Sequence, residues 1–336
     1  MNNRRDMENG MVVLPSNRYL AARLVLEAVA IFIMTYPMLH IYVILQGDIS
    51  AYKRGFFCDD LAIKYPLLDN TISIVECFII WFVIVIVTIP IVEWLHLSLF
   101  MTNPPRIGKI PWIFIELYRM YGYFGLGALA TLLTTEMAKY KIGRLRPHFL
   151  AACIPNFENI SCVDENDMPV YVLEFNCTGS PKAENYARKS FLSGHASFSF
   201  YSATFLIIYL HARFTGRSNS SPRAIGGLKV SKKILFVLFI GAKILRPFLQ
   251  FGFFSLAFYI CLTRVSDYHH HTGDVVMGAF VGIIFAIITV VLVINLFNRP
   301  RVFKMTPEGN LQEGLILSSY PPKPDVDFAE RTNQRR

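Results

Sequence analysis

Charge is scarce in this sequence. Asp, Glu, Lys and Arg make up 17% of its 336 residues, against about a quarter in an ordinary soluble domain. The chain also lacks a polar stretch long enough for a soluble domain, an internal repeat, and a small-residue cleavage pattern after its first apolar run. The shortage of charge excludes a globular protein with a solvated charged shell. Without a cleavage pattern, the first apolar run is expected to stay in the mature chain and not to act as a removed signal peptide.

What the chain has in quantity is apolar length: 53% of residues are hydrophobic, 14% aromatic, and the mean hydropathy is +0.40. A helix needs roughly 20 apolar residues to cross the bilayer core. Six stretches qualify, near 20–45, 72–96, 112–136, 196–213, 244–263 and 275–297. The expected fold is therefore an all-α integral membrane protein with six transmembrane helices over 20–297, a leader 1–19 and a tail 298–336.

Lys and Arg in short loops set the orientation. The leader (Arg4, Arg5, Arg18), the loop after the second span (Arg106, Lys109), the basic loop 214–243 and the tail (Arg299, Arg301, Lys304) share one side, expected to be the cytosol. The net charge of +9 then reads as topology and contact with anionic lipid, not as nucleic-acid binding. Within 214–243, the apolar core of "KKILFVLFIGAK" is too short to span, which leaves an interfacial helix or an extension of the fifth span.

The loops 47–71, 137–195 and 264–274 fall on the opposite, extracellular or lumenal side. Sequons at Asn159 and Asn176 suit that side, whereas a third at Asn219 lies in the basic loop and is expected to stay bare. Cys153, Cys162 and Cys177 share the long loop, where oxidising conditions allow a disulfide. Cys162 with Cys177 is the expected pair. Cys77 and Cys261 lie in spans as small hydrophobes.

Positive charge also crowds the non-cytosolic side, against the general pattern: Lys139, Lys141, Arg144, Arg146, Arg188, Lys189 and Arg264. Snorkelling accounts for one or two, Lys141 and Arg144. The others read as an anion site. Ser193-Gly194-His195 opens an apolar helix whose N-terminus favours phosphate, although a Ser cap and a turn glycine would look the same. In "RVSDYHHHTGDV", Asp274 lies four residues beyond His270, one helical turn, the spacing of a nucleophile and its orienting base. Adjacent histidines rarely converge on one ion and their neighbours are cationic, so neither a metal nor a cofactor is expected. His148 and His211 read as interfacial.

Together, Lys139 with Arg146-Pro147, Ser193-Gly194-His195, and Arg264 with His270 and Asp274 resemble the three-part signature of the type 2 phosphatidic acid phosphatase superfamily. The surrounding "KIGRLRPHFL" and "SFLSGHASFSFY" are most similar to its lipid phosphate phosphatase branch. Thr263, Leu192 and His269 depart from the usual Ser, Pro or Tyr, and Lys. The resemblance implies a metal-independent hydrolase in which His270 attacks phosphorus, Asp274 orients its imidazole and His195 protonates the leaving alcohol. Lys139, Arg146, Ser193, Gly194 and Arg264 would hold the phosphate. It implies phosphatidate, lysophosphatidate, sphingosine 1-phosphate or ceramide 1-phosphate as substrate and a homo-oligomer as the assembly. The location implied is the plasma membrane with an extracellular site, or an internal membrane with a lumenal one. A lipid phosphotransferase using the same histidine, a non-catalytic lipid-phosphate binder and a transporter are the competing readings. The intact histidines argue against the binder, and the few charges within spans, Glu27, Glu76 and Glu93, argue against the transporter.

Overall fold

The computed structural model describes residues 51–100, 106–107, 110–215, 232–294, 301–305 and 311–315, with scattered helical positions between 25 and 40. Most of the first expected span, Glu27 and the Asn219 sequon lie outside the described residues. Among the described residues from 51 onward, seven α-helices carry the fold: α1 (Ile74–Phe100), α2 (Trp112–Ile142), α3 (Phe149–Cys153), α4 (Pro181–Ala187), α5 (Gly194–Thr215), α6 (Lys232–Ser266) and α7 (Thr272–Ile287). Strands are short: β1 (Phe56–Phe57), β2 (Arg106–Ile107), β3 (Ile110–Pro111) and β4 (Tyr171–Val172), with β5 (Arg301–Met305) and β6 (Leu311–Leu315) as an antiparallel hairpin in the tail. Residues 24–295 form one compact unit, and the tail hairpin belongs to another.

Among the described residues, three helices are long and apolar enough to cross a membrane: Ile74–Leu97 within α1, Ile244–Ser266 within α6, and Thr272–Val291 from α7 onward. Their outward faces carry Phe82, Ile86, Phe248, Phe251, Phe254 and Phe280, large apolar side chains left exposed by the protein itself, as a lipid-facing surface requires. α6 runs unbroken from Lys232, so the segment before the fifth span is a helical extension of it.

α2 and α5, at 31 and 22 residues, are long enough, about 33 Å or more at the usual rise per residue. Both are more polar, and the packing explains why. α5 is the central helix and packs on α7, α6, α2 and α1. Its Ser197, Ser199 and Ser202 are buried. Thr135 of α2 donates to Ser197 at 2.9 Å, and Trp81 of α1 donates through Nε1 to Ser199 at 3.0 Å. Such hydroxyls join helices where no water competes. Against α7 the approach is closer still: a Cβ on Gly282 would overlap the carbonyl of Ser197, and one on Gly278 would lie 2.7 Å from the carbonyl of Ser193.

The far end of α5 holds a buried charged cluster. Arg213 pairs with Glu93 of α1 at 2.6 Å and with Glu116 of α2 at 3.1 Å, and Tyr209 donates to Glu93 at 2.8 Å. Glu76 has a local role at the start of α1. Its carboxylate accepts the Ser73 N–H at 2.7 Å while Ser73 Oγ accepts the Glu76 N–H at 3.2 Å, a reciprocal capping box.

Above the other end, residues 51–71 and 143–193 build a small layer around Phe56, Ile63, Leu145, Phe149 and Ala187. β1 pairs with β4, setting Phe56 opposite Val172 and Phe57 opposite Tyr171. Two disulfides tie this layer, Cys58–Cys162 and Cys153–Cys177. The expected Cys162–Cys177 pair is therefore wrong. Thr178 and Gly179 donate to the carbonyls of Ile154 and Cys153 at 3.1 and 2.9 Å, which brings Cys177 to the end of α3. Cys162 is left for Cys58, a residue of the segment before α1.

Candidate active site

α2 ends at Gly143, whose φ of 58° is a left-handed cap that few other residues adopt at low cost. Lys139 lies in its last turn and Arg146 just beyond. Ser193, Gly194 and His195 open α5, Arg264 lies in the last turn of α6, His270 in the turn to α7, and Asp274 in the first turn of α7. Backbone hydrogen bonds close these segments on one another. Arg146 N–H donates to Ala187 at 2.8 Å, Ser190 to Arg144 at 3.0 Å, Ser193 to Asp274 at 3.1 Å and His270 to Arg264 at 3.1 Å. All three sequence motifs meet in one buried place.

His270 is 3% exposed, and its Nδ1 lies 2.7 Å from the carbonyl oxygen of Ser190. A carbonyl only accepts, so Nδ1 carries the proton and Nε2 keeps its lone pair. Burial, followed by the charges of Arg146 and Lys139, pushes the imidazole pKa well below its ordinary value. A neutral imidazole with a free Nε2 is a nucleophile at physiological pH.

Asp274 does not touch that ring directly, contrary to the spacing argument. Its Oδ1 pairs with Arg144 at 2.6 Å, and its Oδ2 accepts the Ser190 hydroxyl at 2.6 Å and the His271 N–H at 3.2 Å. As the third residue of α7 it reaches back to the helix cap, and Ser190 stands between it and His270. Arg144 is thereby a partner of Asp274 and not a snorkelling side chain.

The cations are held with care. Arg146, 4% exposed, donates through Nε to Tyr186, Nη1 to His269 and Nη2 to Lys189, all backbone carbonyls at 3.1–3.2 Å, and stacks 3.8 Å over the Tyr186 ring. Two of its five N–H groups remain. Burial lowers its pKa, and among the described residues no carboxylate lies within ion-pair distance of it. Arg264 is fully buried, with Thr263 Oγ1 accepting from Nε at 3.2 Å and from Nη2 at 3.0 Å. Threonine in place of the usual serine thus keeps the hydroxyl. Lys139 pairs with Glu136 at 2.6 Å, and its Nζ would lie 3.1 Å from a Cβ on Gly194, so glycine there admits the ammonium. Ser193 Oγ is 3.5 Å from the Ala196 N–H, a long cap contact.

His195 Nε2 lies 3.1 Å from the Ile72 carbonyl. Burial first, then the charges of Arg264 and Lys139, push its pKa down to about 3. His269 and His148 are also buried, both pushed down to about 4 mainly by burial, and their rings meet edge to face at 5.0 Å. His148 is therefore an inner wall of the site and not an interfacial residue, its Nδ1 lying 2.9 Å from the Tyr268 carbonyl. His271 points elsewhere, with Nε2 at 3.0 Å from the Leu145 carbonyl.

Lys139, Arg144, Arg146, Lys189 and Arg264 face three carboxylates, those of Glu136, Asp267 and Asp274. Five against three leaves two positive charges, the complement of a phosphate monoester dianion.

Comparison with known proteins identifies the family. The PAP2 superfamily domain matches residues 120–298. The chain belongs to the PAP2 superfamily. Phospholipid phosphatase 1 of Rattus norvegicus is 34% identical over 306 residues, covering 88% of this chain and 94% of its own length. Phospholipid phosphatase 1 of Mus musculus is 33% identical over 274 residues (80% and 84%), and phospholipid phosphatase 2 of Homo sapiens 33% over 255 residues (75% and 77%). No solved structure matches the chain. The motifs did not signal Ser190, Asn70 and Asp267, which hold motif residues, or Thr71, which holds Asp267, because all four lie outside the motif spacing.

Proposed function

We propose that this PAP2 superfamily member is a lipid phosphate phosphatase that works through a phosphohistidine. The observation that carries this is Arg146: a buried guanidinium held by three carbonyls and the Tyr186 ring, with no carboxylate within ion-pair distance among the described residues and close enough to His270 to depress its pKa, is costly until an anion arrives. Phosphate supplies that anion.

His270 Nε2 attacks phosphorus as the bond to the lipid oxygen breaks. The Nδ1–H bond to the Ser190 carbonyl, with the Asp274 charge behind it, stabilises the imidazolium that develops. Arg146, Arg264 and Lys139, with the Ser193 hydroxyl and the Gly194 N–H, hold the phosphate oxygens. His195 gives a proton to the departing alkoxide. Water then attacks phosphorus as His195 takes its proton, the P–N bond breaks, and inorganic phosphate leaves with His270 restored.

Burial is the larger cause of the low His195 pKa; phosphate charge offsets the second cause, the charges of Arg264 and Lys139, and so moves the pKa upward, in the direction a general acid needs. Six spans put both termini in the cytosol and the site at the extracellular or lumenal rim, where a lipid can present its headgroup while its chains stay apolar. The substrate class is a lipid monoester such as phosphatidate, lysophosphatidate, sphingosine 1-phosphate or ceramide 1-phosphate, the membrane is the plasma membrane with an extracellular site or an internal membrane with a lumenal one, and the assembly is a homo-oligomer.

The test is release of inorganic phosphate from a panel of lipid phosphates by purified protein in excess chelator. Release should persist, because a site with surplus positive charge repels a metal ion. Transfer of phosphate to an added lipid alcohol without release would favour the phosphotransferase. Activity that is lost in EDTA and restored by magnesium or zinc would refute the metal-free mechanism.

A further inference from the structure

The matched family domain starts at residue 120, yet two of the motif side chains are held from outside it. Arg264 Nη1 donates to Asn70 Oδ1 at 2.7 Å, and Nη2 donates to Asp267 Oδ2 at 2.8 Å. The Asp267 carboxylate in turn accepts the backbone N–H and the hydroxyl of Thr71, each at 2.8 Å. One residue on, the Ile72 carbonyl meets His195 Nε2. Three consecutive residues thus reach into the second and third motifs.

This strap is tied at both ends. After it, the Ser73–Glu76 capping box fixes the entry to α1. Before it, Tyr65 N–H donates to the Pro147 carbonyl at 3.0 Å, the Tyr65 and Tyr268 rings stack at 4.5 Å, and Cys58 is bonded to Cys162. Asn70 and Thr71 are themselves exposed. They contribute little to a core, so their contacts are better explained by what they hold.

Arginine grips a phosphate well only when the plane of its guanidinium is fixed before the anion arrives. Arg264 sits at the end of a long, flexible side chain, and Asn70 and Asp267 fix that plane. For His195 the carbonyl is decisive: it accepts only, so Nε2 bears the resting proton, and the second proton must enter and leave at Nδ1.

We propose that Asn70–Ile72 is a positioning strap for the site: Asn70 and Thr71 set the phosphate-binding plane of Arg264, and the Ile72 carbonyl fixes His195 to act through Nδ1. The assignment rests on the phosphatase reading above. These are positioning residues, acting through Arg264 and His195.

The experiment compares full-length wild type, Asn70→Ala, Thr71→Val and Thr71→Ser for vanadate affinity and for KM against kcat on one lipid phosphate, with the tautomer of His195 read by ¹⁵N NMR. Asn70→Ala and Thr71→Val should each weaken vanadate about tenfold and raise KM by a similar factor, the size of one lost charge-assisted hydrogen bond, with a smaller fall in kcat. Thr71→Ser keeps the hydroxyl and should stay within about twofold of wild type. His195 should carry its resting proton on Nε2. Wild-type vanadate affinity and KM in both Asn70→Ala and Thr71→Val, or a resting proton on Nδ1 of His195, would overturn the strap. Wild-type protein that releases no phosphate from any lipid phosphate, while vanadate affinity still falls in Asn70→Ala, would instead refute the phosphatase reading and leave the strap as an anion-site element.

Discussion

At the residue scale the site turns on Ser190, whose carbonyl accepts from His270 and whose hydroxyl donates to Asp274. One residue therefore passes the influence of a carboxylate to an imidazole that the carboxylate does not touch. Around it, burial holds three more histidines neutral, with pKa values of about 4 for His148 and His269 and about 3 for His195. In the unfolded chain each titrates near 6.5. Between that value and about 4 the unfolded state binds more protons, so stability must fall as pH falls. Thermal unfolding of the detergent-solubilised protein should show a roughly flat melting temperature above pH 7 and a progressive drop from about 6.5 to 4.5. A drop that is unchanged in His148→Gln would remove that residue from the account.

At the element scale, α5 links the site to the other end of the molecule. Its first turn carries His195, and its last carries Arg213, clamped to Glu93 and Glu116. Arg213→Ala would leave Glu93, fully buried, without its cation, and should cost about 3 kcal/mol or more. The melting temperature should fall sharply, and Glu93→Gln in the same chain should restore part of it. A single variant as stable as wild type would mean that the clamp is not structural. The sequence made the strongly apolar helices legible, because α1, α6 and α7 face lipid and bury few polar groups. It also made the motif residues legible, since the proposed phosphate chemistry demands particular residue types at fixed spacing. What it hid were tertiary partners. Asn70, Ser190 and Cys58 are ordinary residues on local inspection, and only the pairing of β1 with β4 and the fold of the outer layer give them their roles.

For the whole molecule, three helices able to cross a membrane and exposed apolar faces fix a membrane protein, while the side on which the site lies rests on the charge pattern of the loops. Glycan mapping tests that side. Asn176 is exposed on the outer layer, and Asn159 lies in the same loop. Both should carry glycans when the protein is made in a eukaryotic cell, and Asn219 should stay bare. A glycan on Asn219 would contradict the six-span arrangement. The central claim, that His270 becomes covalently phosphorylated, is tested most directly by quenching the enzyme during turnover of a ³²P-labelled lipid phosphate. A phosphohistidine leaves an acid-labile label on the protein. It should persist in His271→Ala and His269→Gln and be absent from His270→Ala. An acid-stable label, or one that survives replacement of His270, would contradict it.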